Sequence, residues 1–177
     1  MKKKVGRGIL LSRSGKLVDP FRPKPSQIDF NDIAVALARI NRFTGHTVHP
    51  YSVLEHSLLC LSIAKRRKLP LYIQLACLLH DASEAYISDI PSPIKRQLKG
   101  IKQIEKRFLD AIWKAALPGI TWGFPAFLSI VKKIDDEALE IERQFIYNKN
   151  MPAQKKERYL VRLFVRAYFN TLKGFDQ

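Results

Sequence analysis

The stretch Leu71-Tyr72-Ile73-Gln74-Leu75-Ala76-Cys77-Leu78-Leu79-His80-Asp81-Ala82-Ser83-Glu84-Ala85-Tyr86 decides how the chain is read. It is apolar at helical spacing, most strongly from Leu75 to Leu79, and predicts a helix over 71–86 buried in a core. It then places an ionisable pair, His80-Asp81, directly after the apolar run. Such a pair faces a desolvation cost unless something partners it.

Helical spacing continues on both sides. Upstream, Ile33, Leu37 and Ile40 define a helix from Asp29 to about Asn41. The segment 42–50 reads as a loop by Gly45 and Pro50. Ser52-Val53-Leu54-Glu55 is a capping box, a hydroxyl followed three residues later by a carboxylate, and starts a helix through about Lys65. Downstream, Pro91 and Pro93 stop and restart the chain. Helices follow at about 101–117 and 125–149, with a Pro/Gly/Trp loop at 118–123 between them. A basic amphipathic helix closes the chain at 153–172, with Tyr159, Leu160, Leu163, Phe164, Ala167 and Tyr168 on one stripe. That stripe either packs on its own domain or forms a contact between subunits. Near the start, Ile9-Leu10-Leu11 and Lys16-Leu17-Val18 flank Gly15 and predict a short β-hairpin. The expected fold is all-α, a bundle of about six to seven helices with that hairpin at its N-terminus.

The 177 residues suit one domain with a real core, and 46% hydrophobic content excludes a disordered chain. No apolar run approaches the ~18–20 residues a membrane span needs. Met1-Lys2-Lys3-Lys4 resembles the charged opening of an export signal, but Ile9-Leu10-Leu11 is too short to continue one, so a cytoplasmic location is expected. Cys60 and Cys77 sit in apolar helical patterns without CxxC spacing and read as buried, reduced core residues.

A net charge of +15 would suggest a nucleic-acid-binding protein. Its distribution argues otherwise. Residues 1–24 carry +7 and residues 149–177 carry +5, while 25–148 carry only +3. The chain therefore reads as a basic arm (1–25), a nearly neutral domain (26–150) and a basic helix (151–177) packed on or extending that domain. Basic ends allow weak non-specific nucleic-acid binding.

The neutral middle holds the chemistry. A metal ion would satisfy both side chains of His80-Asp81, the alternative being a plain capped helix end. Glu84, four residues on, would lie one helical turn along the same face and could serve as general base or acid; Asp89 follows after a short non-helical step. His56 lies in the first turn of the preceding helix and Asp135 on a later one. Three helices could thus bring His56, His80-Asp81 and Asp135 to one ion.

These residues stand in a wider set of motifs. They are Asp32-Ile33-Ala34, Arg42-Phe43-x-Gly45-His46, Tyr51-Ser52-Val53-x-Glu55-His56-Ser57, Leu79-His80-Asp81-Ala82-Ser83-Glu84-Ala85-Tyr86, Asp89-Ile90-Pro91-x-Pro93-Ile94-Lys95 and Val131-Lys132-x-x-Asp135. Over about 28–142 the chain resembles the HD-domain metal-dependent phosphohydrolases, most nearly compact bacterial 5'-deoxynucleotidases and virus-encoded dNTP triphosphohydrolases. The resemblance implies an HD-domain helical bundle that hydrolyses nucleotides. It implies that His56, His80, Asp81 and Asp135 bind one divalent ion (Zn, Mn, Co, Ni or Fe). Glu84 and Asp89 would orient or activate water, and Arg42, Lys95 and Lys132 would hold phosphate oxygens. Phe43 would stack on the nucleoside. The likeness also implies a homo-oligomer. Asp136 competes with the adjacent Asp135, Lys95 could simply be solvated, and Phe43 could be plain core. Trp113 and Trp122 read as packing residues, and His46 and His49 are not expected to be ligands.

Overall fold

A computed structural model describes residues 8–119, 127–145 and 157–175. The calls on Met1–Lys4, most of the 118–123 loop with Trp122, and the start of the last helix at 153 lie outside these residues. Strands β1 (Leu10–Leu11) and β2 (Leu17–Val18) pair antiparallel, Leu10 opposite Val18 and Leu11 opposite Leu17. Gly15 turns the chain between them at φ +81°, a left-handed conformation that costs glycine nothing. The other named elements among the described residues are helical, as the periodicity predicts.

Helix α1 (Phe30–Arg39) starts where Asp29 accepts hydrogen bonds from the backbone N–H groups of Asn31 and Asp32. It buries Ile33, Ala34 and Leu37, one face at helical spacing. Helix α2 (Val53–Arg66) starts at the expected capping box, with the Ser52 hydroxyl accepting from Glu55 N–H and the Glu55 carboxylate accepting from Ser52 N–H at 2.9 Å. The loop between them is closed at its base: Arg42 N–H donates to Tyr51 C=O at 2.8 Å and Val53 N–H to Ile40 C=O at 3.0 Å. That closure holds Arg42 beside the start of α2. Phe43 and Thr44 adopt left-handed φ of +55° and +54°, costing about 1 kcal/mol or more each in residues with a Cβ.

Helix α3 (Leu71–Leu79) differs from the expected 71–86 in its end. After Leu79 the chain tightens into i→i+3 hydrogen bonds: Ala82 to Leu79, Glu84 to Asp81, Ala85 to Ala82 and Tyr86 to Ser83. A short helix α4 (Glu84–Ile87) ends that run, and α5 (Ser92–Lys95) follows the first of the two prolines. At three residues per turn the eclipsed pair is i, i+3, so Glu84 stands over Asp81 rather than over His80.

Helix α6 (Ile101–Ala116) buries Phe108, Ala111, Ile112, Trp113 and Ala116. Helix α7 (Leu128–Phe145) turns Val131, Ile134 and Ala138 inward. Helix α8 (Glu157–Lys173) packs against α1, α2 and α3. Its buried stripe is Leu160, Phe164, Tyr168 and Thr171, whereas Tyr159 is 51% exposed. The stripe therefore serves the chain's own core, and Tyr168 stacks on Phe30 of α1 at 4.1 Å between ring centroids. No helix among the described residues is long and apolar enough to cross a membrane.

Candidate metal centre

Helix α2 is central, packing against α1, α3, α7 and α8, and it carries His56 in its first turn with the side chain fully buried. The His56 Nδ1 faces a Glu142 carboxylate oxygen at 2.6 Å, an acceptor, so Nδ1 carries the hydrogen and Nε2 points the other way. His80 follows the last turn of α3, and its Nδ1 donates to the Cys77 carbonyl at 2.9 Å. A carbonyl can only accept, so the His80 Nε2 is likewise left with its lone pair. The two Nε2 atoms meet at 3.2 Å.

Two carboxylates join them. Asp81 Oδ2 lies 3.2 Å from His80 Nε2 and 3.5 Å from His56 Nε2. Asp135 Oδ1, from α7, lies 3.2 Å from His56 Nε2 and 4.0 Å from His80 Nε2. The four residues nominated in the sequence thus meet from α2, the turn after α3, and α7. Asp136 points away at 59% side-chain exposure. His46 is exposed and His49 half-buried on the 42–51 loop, and neither lines the cleft beside the cluster.

Lone pairs and carboxylates facing one another repel unless a cation or proton stands between them. Four donors ~2.1 Å from one ion stand ~3–3.4 Å apart, close to the spacing found. Nitrogen and oxygen donors suit Zn, Mn, Co, Ni or Fe. Cys60, one turn along α2, brings its Sγ to 3.5 Å from His56 Nε2. His56, Cys60 and His80 form a buried group that could hold a metal ion. Burial pushes the Cys60 thiol up, against the lowering by His56, and so keeps it protonated. The Cys60 expectation of a reduced, buried residue is met, with a neighbour that the sequence reading did not assign.

The electrostatics fit a site that gathers positive charge. Burial opposes protonation of His56, but hydrogen bonds to Asp135, Cys60 and Glu142 prevail and raise it well above the usual value, so without an ion a proton takes up the Nε2 lone pair that a metal would use. Burial would also raise Asp81 and Asp135. The imidazoles, with Arg42 beside Asp81 and Lys132 beside Asp135, hold both well below the ordinary carboxylate range.

A cleft of about 400 Å³ opens beside these donors. Arg42, Phe43, Glu84, Asp89, Lys95 and Lys132 all line it, together with Asp81 and Asp135. The Arg42 guanidinium is 12% exposed and pairs with Glu142 at 3.2 Å and Asp81 at 3.5 Å, stacking over Phe43 at 5.4 Å. Phe43 is therefore a wall of the cleft rather than core. Lys95 is not simply solvated: it donates to Glu105 at 2.6 Å and stands 3.9 Å from Glu84. Lys132 is 64% exposed and bonds Asp135 at 2.9 Å and Asp136 at 2.7 Å.

Glu142 is the residue that the sequence reading missed. It is fully buried and joins His56 to Arg42. A signal existed in its spacing, since Glu142 lies seven residues after Asp135, two turns along the same side of α7.

Glu84 is buried, with Oε2 lacking a hydrogen-bond partner among the described residues. Burial, then the charges of Asp81 and Asp89, push its carboxyl well above the ordinary 4.5. The folded state then binds this proton more tightly than the unfolded chain. Its contribution to stability is present at low pH and falls as pH rises above 4.5. In metal-free protein, Glu84→Gln should match the parent near pH 4 and exceed it by about 1–3 kcal/mol at pH 8. Urea unfolding of both proteins at the two pH values reads this out, and the comparison cancels the opposite trend from Asp81 and Asp135. Equal stability at pH 8 would contradict the assignment.

No family model matches the chain. It is 40% identical over 118 residues to the uncharacterized protein YfdR of Escherichia coli, covering 66% of this chain and 60% of that one. It is 35% identical over 120 residues to the uncharacterized protein RCAP_rcc00048 of Rhodobacter capsulatus, covering 65% and 58%. The matches thus span less than two thirds of either relative.

Proposed function

We propose that this protein is a metal-dependent phosphohydrolase that releases nucleoside and phosphate from a (deoxy)nucleoside 5'-monophosphate. One observation carries the reading: two imidazole lone pairs and two carboxylates meet at 3.2–4.0 Å at the edge of a cation-lined cleft. The resemblance to HD-domain phosphohydrolases in the motifs bearing these residues supports it. His56, His80, Asp81 and Asp135 would hold the ion. A bound divalent ion supplies an acidified water and polarises phosphoryl oxygens.

The chain's own groups do the rest. Arg42, fixed by two carboxylates, offers a preorganised charge to phosphate. Glu84 and Asp89, both on the lining of this cleft, can orient or activate the attacking water or protonate the leaving oxygen. Phe43 walls the nucleoside side.

The alternative substrate is a dNTP, cleaved to nucleoside and triphosphate. The cations favour the shorter phosphate chain. Beyond Arg42, the cleft's cations are Lys95, Lys132 and Arg143, each already beside a carboxylate, while Arg96, Lys99 and Lys133 do not line it. The test is a panel of dNMPs and dNTPs with Mn, Co and Zn, scoring phosphate and triphosphate separately. Phosphate release from monophosphates is expected. Triphosphate release from dNTPs alone selects the alternative, and activity on none rejects the reading.

A further inference from the structure

Arginines from the basic N-terminal and C-terminal segments line one cleft. Arg13 sits in the hairpin turn, Arg39 in the last turn of α1, and Arg158 and Arg162 in the opening turns of α8. All four line one cleft of about 680 Å³. It shares no lining residue with the cleft at the metal centre.

The cleft also contains a committed hydrogen-bond acceptor. Asp32 is only 6% exposed. Its Oδ2 accepts from the Ser14 backbone N–H at 3.1 Å and the Ser14 hydroxyl at 2.6 Å. Its Oδ1 is buried without a hydrogen-bond partner among the described residues. The Ser12 hydroxyl also acts on this carboxyl, and an oxygen buried without a full set of donors is costly, so a donor brought within its reach would be stabilising. The other acid on the lining is already engaged: Asp29 caps α1 and faces Lys16 at 3.7 Å.

A second pocket of about 280 Å³ adjoins the first and shares Arg13, Asp32, Val35 and Arg39 with it. Its remaining lining is largely apolar, with Leu10, Leu11, Ile33 and the Tyr86 ring. The Tyr86 hydroxyl is also buried there, beside the Asp29 backbone. One compartment is therefore rich in arginine, the other is apolar, and a buried acceptor stands at their junction.

We propose that this double cleft is a nucleotide-binding site separate from the metal centre. Its phosphates lie among Arg13, Arg39, Arg158 and Arg162, where planar guanidinium groups pair with phosphate oxygens. Its base lies in the apolar compartment, and a base or ribose donor reaches Asp32. The two volumes suit a small ligand with one phosphorylated end.

Calorimetric titration of the full chain in EDTA tests this, with ATP, GTP, inorganic triphosphate and a short oligothymidylate as probes. Wild-type protein is expected to bind a nucleotide more tightly than inorganic triphosphate. Arg158→Glu/Arg162→Glu, at exposed positions, should weaken both by about tenfold or more. Asp32→Asn should weaken the nucleotide alone. Equal binding of nucleotide and inorganic triphosphate would leave only an anion patch and overturn the proposal. So would tighter binding of the oligonucleotide, which selects a nucleic-acid surface. Loss of binding in Arg42→Ala with full retention in Arg158→Glu/Arg162→Glu would assign the nucleotide to the metal-centre cleft instead.

Discussion

His80→Ala is expected to remove the bound metal and lower turnover by about 10³-fold or more, with the helical content unchanged. The imidazole supplies one of the two Nε2 lone pairs, and its neighbour Asp81 is oriented against it at 3.2 Å. Structurally the side chain does little else. It is 8% exposed, and its one hydrogen bond outside the cluster, to the Cys77 carbonyl, is worth about 1 kcal/mol. Metal content by elemental analysis, on protein purified without a His tag, reads the first effect. Substrate turnover reads the second, and circular dichroism the third. Full metal content with retained turnover in His80→Ala would remove His80 from the centre and undo the proposed function.

Glu142→Ala is expected to cost about 3–5 kcal/mol of unfolding free energy. Its carboxylate is wholly buried between the His56 imidazole and the Arg42 guanidinium. Truncation leaves a buried cation short of its partner and frees His56 to turn. Glu142→Gln keeps an acceptor for the His56 Nδ1–H but loses the charge. It should fold more stably than the alanine variant and still bind metal about 10–100-fold more weakly than the parent, because the acceptor fixes the tautomer and its charge raises the basicity of the ligand. Urea unfolding and metal titration separate the two effects. A stable Glu142→Ala protein with unchanged metal affinity would show that Glu142 positions nothing.

The clustering of the four candidate ligands was largely legible in the sequence because they fall in short, locally specified contexts. His56 follows a capping box, and His80-Asp81 follows the most apolar run in the chain. Asp135 could be separated from Asp136 only by motif likeness, and the facing of α7 decides it: Asp135 turns toward His56 while Asp136 stays exposed. Arg42, Phe43, Lys95 and Lys132 do gather at one cleft, but their partners were not legible. The pairing of Lys95 with Glu105 joins α5 to α6, and that of Arg42 with Glu142 spans a hundred residues. The expected helix through Tyr86 failed for a local reason. The chain after Leu79 uses i→i+3 bonds, and apolar spacing over a few residues does not distinguish the two helix types.

The sequence by itself determined an all-α chain, the capping box at Ser52, the hairpin and which side chains could meet a metal. Helix periodicity, capping and turn chemistry act over three to five residues, so a linear reading reaches them. Only the tertiary structure decided that Glu142 closes the back of the centre and that Cys60 stands beside His56. It also brought the arginines of the hairpin and α8 together over Asp32. Each of these depends on how helices far apart in sequence rotate and pack to bury their apolar faces, and that packing sets which polar groups face one another.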